Sequence, residues 1–214
     1  MIIAICGVDG SGKSTIAKLL ASMMRMRFNT RVLWIKSLHT LAYLIYRLAI
    51  SVRGIEYVVN PCGFRVEHFV TMWMKNLGVL WGFIETLSLI PWLIILYIYN
   101  ALGYVIICDR FLIDFLATVS LRTNDNLWWI RSLYSIPLIN LQRKVLTIHL
   151  RISLNTILKR RPSIEYNVEE LKHIVALYRV IARYINAYEV INENKSLSKT
   201  LKEVMGIIAK NMSR

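Results

Sequence analysis

The chain has 214 residues, 56% of them apolar, with a formal net charge of +14. Such a length fits one α/β domain with room for a full core, and there is no internal repeat, low-complexity tract or linker to suggest a solenoid, a disordered protein or a second domain. A polyanion, an anionic membrane or a basic host proteome would each explain the charge; no run of five or more Lys/Arg occurs, so the last is favoured and nucleic acid is not an expected partner.

Ile2 to Cys6 is a short apolar run that reads as a buried strand. Gly7-Val8-Asp9-Gly10-Ser11-Gly12-Lys13-Ser14-Thr15 follows it, and then Ile16 to Arg27, where Ile16, Leu19, Leu20, Met23 and Met24 recur at helical spacing. Strand, glycine-rich turn and helix form the context a phosphate-binding loop requires, and the residues fit Gly-x-x-x-x-Gly-Lys-Ser. Glycines at 7, 10 and 12 let backbone N–H groups curl around phosphate oxygens with no Cβ in the way. The helix N-terminus adds partial positive charge, Lys13 is placed to neutralise the β- and γ-phosphates, and Ser14 to ligate Mg²⁺. A nucleoside triphosphate, or a ligand shaped like one, is the expected ligand.

Further along, Arg31 to Ile35 reads as a second strand and Leu38 to Val52 as a helix. Gly54 to Gly63 reads as a loop and Arg65 to Leu77 as a helix. Tyr104 to Cys108 is a third buried strand, running into Asp109-Arg110-Phe111, and Val145 to Leu150 a fourth. Leu154 to Arg161 is a short basic helix stopped by Pro162. Asn167-Val168-Glu169-Glu170 resembles a capping box opening a helix to about Tyr188. Glu189 to Asn192 is a short fifth strand, and Ser198 to Lys210 a closing helix. Strands separated by helices imply a three-layer α/β/α sandwich around a five-stranded parallel sheet, with ligands at the carboxyl ends of the strands.

Thr86 to Cys108 holds 23 residues without a charge, and only Glu85 interrupts the run from Leu77. Length and apolarity pass the test for a membrane span. Gly103 nevertheless divides the run into a helix and a strand, and Pro91 is expected to interrupt the helix. A span ending near Cys108 would also put Asp109 across the bilayer from Lys13. The expectation is therefore a buried or interfacial helix followed by a core strand, with a homodimer partner covering the helix between about 77 and 102, and membrane contact as the alternative. Cysteines at 6, 62 and 108 lack metal spacing and are expected to be reduced, which suggests an intracellular, cytoplasmic setting. A strand at the very start leaves no recognisable signal peptide.

A buried strand ending in Asp opposite a phosphate loop is where a Mg²⁺-organising carboxylate belongs, so Asp109 is the metal candidate, with Asp9 a second carboxylate nearby. The rigid fork of Arg110 suits a phosphate. Lys159-Arg160-Arg161 lies just before Pro162, on a segment able to fold over bound phosphates, a short lid at about 159–166. Phe69 and Trp73, four apart, are candidates to stack on a base, with core packing the competing role. Paired Trp128 and Trp129 read as core, and His39, His68, His149 and His173 as structural.

Gly-x-Asp-Gly-Ser-Gly-Lys-Ser-Thr, a strand ending in Asp-Arg-Phe and a late helix containing Tyr178 together resemble the thymidylate kinases, in order over nearly the whole chain. The resemblance implies transfer of the ATP γ-phosphoryl to dTMP or a related monophosphate, with Mg²⁺ and a homodimer. It implies that Asp9 reaches the acceptor sugar and metal-bound water and that Arg110 holds the acceptor phosphate. With no arginine in the loop itself, it points to Arg160 or Arg161 for the catalytic cation. Three departures stand out. Lys36-Ser37-Leu38 replaces the family's Arg-Glu-Pro. If Glu67 starts the base-binding helix, Thr71 stands where phenylalanine is common and Lys75 where arginine reads thymine. The lid is short. A kinase with another acceptor (a different nucleotide, a polynucleotide end or polyphosphate) and a non-catalytic membrane- or nucleic-acid-associated protein remain alternatives.

Overall fold

The computed structural model describes residues 1–124, 133–193 and 195–212. Trp128 and Trp129 lie outside these residues.

Strand β1 (Ile2–Cys6) is the centre of a parallel sheet ordered β2-β5-β1-β6-β7, whose other strands are β2 (Thr30–Trp34), β5 (Val105–Asp109), β6 (Leu146–Arg151) and β7 (Tyr188–Ile191). Alternate side chains of one strand serve opposite faces. Ile3 and Ile5 pack against α1 (Lys13–Met24) and the closing helix α9 (Leu197–Met212), together with Ile16, Leu20 and Val204. Ala4 and Cys6 face the larger core, built on α4 (Val79–Ala101), α5 (Leu112–Arg122), α6 (Ile136–Arg143), α7 (Leu154–Arg160) and α8 (Val168–Tyr184). Burial on both faces explains why β1 and β5 read as continuous apolar runs rather than alternating ones. The expected α/β sandwich of P-loop NTPase type is thus present. Cys6, Cys62 and Cys108 are free thiols.

Two sequence expectations need correction. Residues 54–77 are not a loop and one long helix. They form a hairpin, β3 (Tyr57–Val59) and β4 (Arg65–Glu67), followed by the short helix α3 (Met72–Leu77). Asn60 makes the turn: its Oδ1 accepts the N–H groups of Cys62 and Phe64, each at 3.0 Å, and Gly63 takes φ +82°. The Arg65 guanidinium then lies over the Tyr57 ring, 4.5 Å from its centroid. Such cross-strand pairing outweighs the weak helical pattern of the segment. Pro91, likewise, does not interrupt α4, which runs unbroken for 23 residues. The proline is on the exposed face of the helix, where its missing hydrogen bond costs least, while Glu85, Ser88, Leu89 and Leu96 anchor the opposite face on both sides of it. Helix α2 (Thr40–Arg53) packs on α4, the Ala42 N–H donating to Ser88 Oγ at 2.8 Å.

Between α4 and α5 an ion pair is fully enclosed. Arg122 Nη1 lies 2.7 Å from Glu85 Oε1 and also donates to Ser37 Oγ at 2.9 Å, while its Nε reaches the Phe69 carbonyl at 3.1 Å. Glu85 accepts in addition from Trp81 Nε1 and the Leu38 N–H. One pair therefore ties four segments together. Removing either member leaves the other charge buried and unpaired, so Arg122→Ala should cost about 3–5 kcal/mol. Denaturant unfolding measures this, and a loss within experimental error of zero would mean that water reaches the pair.

Candidate active site

The loop between β1 and α1 closes tightly. A Cβ on Gly7 (φ +152°) would come within 2.6 Å of the Leu150 carbonyl and 2.7 Å of Ser11 Oγ, so this position admits only glycine. Gly12, at φ +88°, turns the chain into the helix that opens at Lys13. Behind the loop stands a residue the sequence reading overlooked. Asn192 Nδ2 donates to the Ser11 carbonyl at 2.8 Å, and its Oδ1 accepts from Thr200 Oγ1 at 2.7 Å. Ser11 Oγ is buried with no hydrogen-bond partner among the described residues, as is Asp109 Oδ1. Val8, Gly10, Ser14 and Thr15 complete the loop as expected from the motif.

Parallel pairing sets Ile5 beside Asp109 and Cys6 beside His149, which brings the ends of β1 and β5 together. Arg110, the residue after β5, is held at φ +75°, an uncommon conformation for a side-chain-bearing residue, by its N–H bond to the Ile5 carbonyl. The result is a convergence on Asp9. Lys13 Nζ lies 2.8 Å from Asp9 Oδ1, Arg110 Nη2 contacts the same oxygen, and Arg161 Nη1 is 3.0 Å from Oδ2. Burial favours the neutral acid, but the charges of Lys13, Arg110 and Lys36 hold the Asp9 carboxyl far below the carboxylate range.

Lys36 has a different status. Its ammonium, half-buried two residues beyond β2, makes no hydrogen bond or ion pair among the described residues, and burial followed by the charge of Arg110 pulls its pKa down. On the far side of Arg110, the fully buried Asp114 lies 3.8 Å from Nη1 and accepts the Tyr178 hydroxyl at 2.8 Å. Burial pushes the Asp114 carboxyl up, against the pull of Arg110 and Lys13. Beyond it, His149 stacks on Tyr178, and burial pushes its pKa down to about 4.

Arg160 and Arg161 part company at the end of α7. Arg161 bridges Asp9 and Glu165, the latter at 3.1 Å, whereas Arg160 donates to the carbonyls of Gly10 at 3.4 Å and Asn192 at 3.1 Å. The segment after them is fastened to the hairpin: Asn60 Nδ2 donates to the carbonyls of Pro162 at 2.8 Å and Ile164 at 3.0 Å.

The three base-site candidates are not brought together as a stacking pocket. Phe69 precedes α3 instead of sharing a helical face with Trp73, because the chain is still turning out of the hairpin there. Phe69 packs on Tyr46, ring centroids 5.7 Å apart, and Trp73 meets Trp81 edge-on at 4.9 Å, in one small satellite core. Lys75 Nζ turns to Glu170, 3.5 Å away, where His68 Nε2 also binds at 3.0 Å.

Glu170 closes the capping box of α8, accepting the Asn167 N–H. Burial opposes its ionisation, but His68, Asn167 and Lys75 outweigh this and hold its pKa below the ordinary 4.5. A depressed pKa makes the ionised form stabilising above about pH 4.5, and that contribution is lost as pH falls through the lower folded value. Glu170→Gln should therefore be less stable at neutral pH and lose less stability on acidification below that point. Parallel stability–pH curves for the two proteins would contradict the assignment.

Lys36, Asn192 and Arg110 share one address, one or two residues past the carboxyl end of a strand. That position was the available sequence signal, and it was applied only to Arg110.

A parallel five-stranded sheet with a glycine loop opening the first helix defines an α/β fold of P-loop NTPase type. No family model and no curated protein matches the sequence. Among solved structures the chain is similar to the thymidylate kinase of Candida albicans, with a TM-score of 0.61 and 17% identity over 99% of this chain and 92% of that one. At this identity the likeness speaks for the fold.

Proposed function

We propose that the chain is a phosphotransferase that moves the γ-phosphoryl of ATP to a nucleoside monophosphate, dTMP being the favoured acceptor. The observation that carries this reading is the convergence of Lys13, Arg110 and Arg161 on the single carboxylate of Asp9, with Lys36 beside them. Such an excess of positive charge at the carboxyl edge of the sheet suits two anions meeting end to end. Lys13 serves the β- and γ-phosphates, and Arg110, backed by Asp114 and Tyr178, holds the acceptor phosphate with Lys36. Asp9 exchanges its cations for the acceptor sugar as the phosphates take those cations over. Arg161, arriving with the lid, faces the migrating group.

The residues fit a magnesium ion. Ser14 lies in the first turn of α1 beside the loop, and Asp109 presents a buried oxygen with no partner among the described residues, suited to a metal-bound water. When bound, Mg²⁺ would offset the negative charge of the phosphates.

A second reading, a P-loop kinase with a different acceptor, has one observation in its favour: Phe69, Trp73 and Lys75 are committed to core packing and to Glu170. The Candida albicans enzyme is itself described as having broad substrate specificity. A panel of ribo- and deoxynucleoside monophosphates assayed with Mg·ATP separates the two. Saturable ADP production with dTMP supports the first reading. Turnover only with a purine, a polynucleotide end or polyphosphate replaces it with the second, and none with any acceptor rejects both.

A further inference from the structure

Helices α2 and α4 pack against each other, and each leaves an apolar stripe bare. On α4, Leu80, Leu87, Ile90, Ile94 and Ile98 share one side and are 39–56% exposed. Their spacing of seven, three, four and four residues keeps them on one helical face, opposite the buried Trp81, Glu85, Ser88 and Leu96. On α2, Leu41, Leu44, Leu48 and Val52 form the corresponding stripe and are 45–86% exposed. Neither stripe contains a charged residue.

Charge elsewhere in this part of the molecule is one-sided. Through residue 124, none of the six carboxylates is exposed, whereas seven Lys/Arg side chains are. Three of these adjoin the helices: Arg47 and Arg53 on α2 itself, and Arg31, whose guanidinium lies 5.6 Å from the rings of Tyr99 and Tyr104 at the end of α4. Tyr43 and Tyr97 add exposed aromatic rings to the same helices.

We propose that the outward faces of α2 and α4 dock the chain on an anionic membrane surface. Apolar side chains enter the interface, while neighbouring arginines meet lipid phosphates and tyrosines sit at headgroup level. The chain lies on the bilayer and does not cross it. Helix α4 is long and apolar enough for a span, but its inner face carries the enclosed Glu85–Arg122 pair, and β5, directly after it, is a central strand of the sheet. A second copy of the chain is a poorer occupant. Through residue 124 it would offer Arg31, Arg47 and Arg53 no exposed carboxylate, whereas lipid phosphates match them. Nucleic acid would satisfy the arginines but offers the stripes no apolar phase.

The test is flotation of the full chain with vesicles of phosphatidylcholine containing about one-third phosphatidylglycerol, and with phosphatidylcholine alone, at about 0.1 M and about 1 M salt. Binding should be at least about tenfold stronger to the anionic vesicles and weaken at high salt. Ile90→Glu/Ile94→Glu should lower it at least about tenfold, and so should Leu44→Glu/Leu48→Glu on the other helix. A polarity-sensitive dye on Ile94→Cys, in a Cys62→Ser background, should shift to the blue on anionic vesicles, which tests the face without adding charge. Absence of binding overturns the proposal, as does equal binding to neutral vesicles, or binding that folded variants of both helices retain. A dimer in vesicle-free buffer that both variants dissociate, with no vesicle binding, would give the face to a second copy instead. Phosphoryl transfer is not among these readouts, so their failure leaves the proposed reaction untouched.

Discussion

Lys13→Ala should lower phosphoryl transfer by at least about 10²–10³-fold while leaving the protein folded. Lys13 Nζ, buried at the foot of the loop, reaches only the Val8 carbonyl and Asp9 among the described residues. Lys13 stands at the first position of α1, at the edge of the sheet, so truncation should leave the sheet's own packing in place. Asp9 keeps Arg110 and Arg161 after the substitution and is not left as an unpaired buried charge. What disappears is a positive charge placed where the transferred phosphate carries its negative charge, and the loss should fall on turnover more than on acceptor KM. Single-turnover kinetics with Mg·ATP and the best acceptor of the panel measure it, with thermal unfolding as the folding control. Turnover near that of the unsubstituted protein would remove Lys13 from the reaction.

Arg161→Ala should lose at least about a hundredfold in turnover, and Arg160→Ala little. Arg160 is the last residue of α7, whereas Arg161 has already left the helix (φ −139°, ψ +75°), so the two side chains take different directions. Arg161 is directed at Asp9 across the mouth of the loop, whereas Arg160 lies along its back on the Gly10 and Asn192 carbonyls. Arg160→Ala should therefore act through the loop's shape, raising KM for ATP with kcat nearly unchanged. A catalytic arginine in such a reaction is worth about 10³–10⁵ in rate, and partial replacement by Lys36 or Arg110 sets the lower bound at a hundredfold. Equal effects of the two substitutions would contradict the geometry. Unchanged turnover in both single variants and in the double variant would mean that the cation comes from another residue.

The geometry also explains which parts of the site could be read without it. The glycine loop was legible because its function needs a local sequence: φ above zero at fixed positions, a helix beginning at once, and a lysine at its first position. Asp109 and Arg110 were legible because a buried strand announces its own end. The capping box at Asn167 was legible for the same reason, its bonds spanning three residues. The hairpin at 57–67 was not, since Asn60 specifies it through bonds that local propensity does not register. Helix α5, buried along its whole length, and α6 were not identified from the sequence.

By itself, then, the amino-acid sequence determined the elements whose stabilising contacts are near in the chain: the central strands, the phosphate loop, the capped helices and hence the parallel sandwich. Only the tertiary structure decided how distant charges pair. Asp9 meets Arg110 and Arg161, Glu85 meets Arg122, and Glu170 meets His68 and Lys75, across separations of up to 152 residues. Pattern and propensity act over a turn or two, whereas Coulomb attraction in a desolvated interior depends on distance in space. The same difference decided the fate of Lys75, a base-reading candidate by position that the fold gives to a carboxylate, and of Lys36, noted in the sequence only as a departure from the family pattern, which it leaves as a half-buried cation beside the loop.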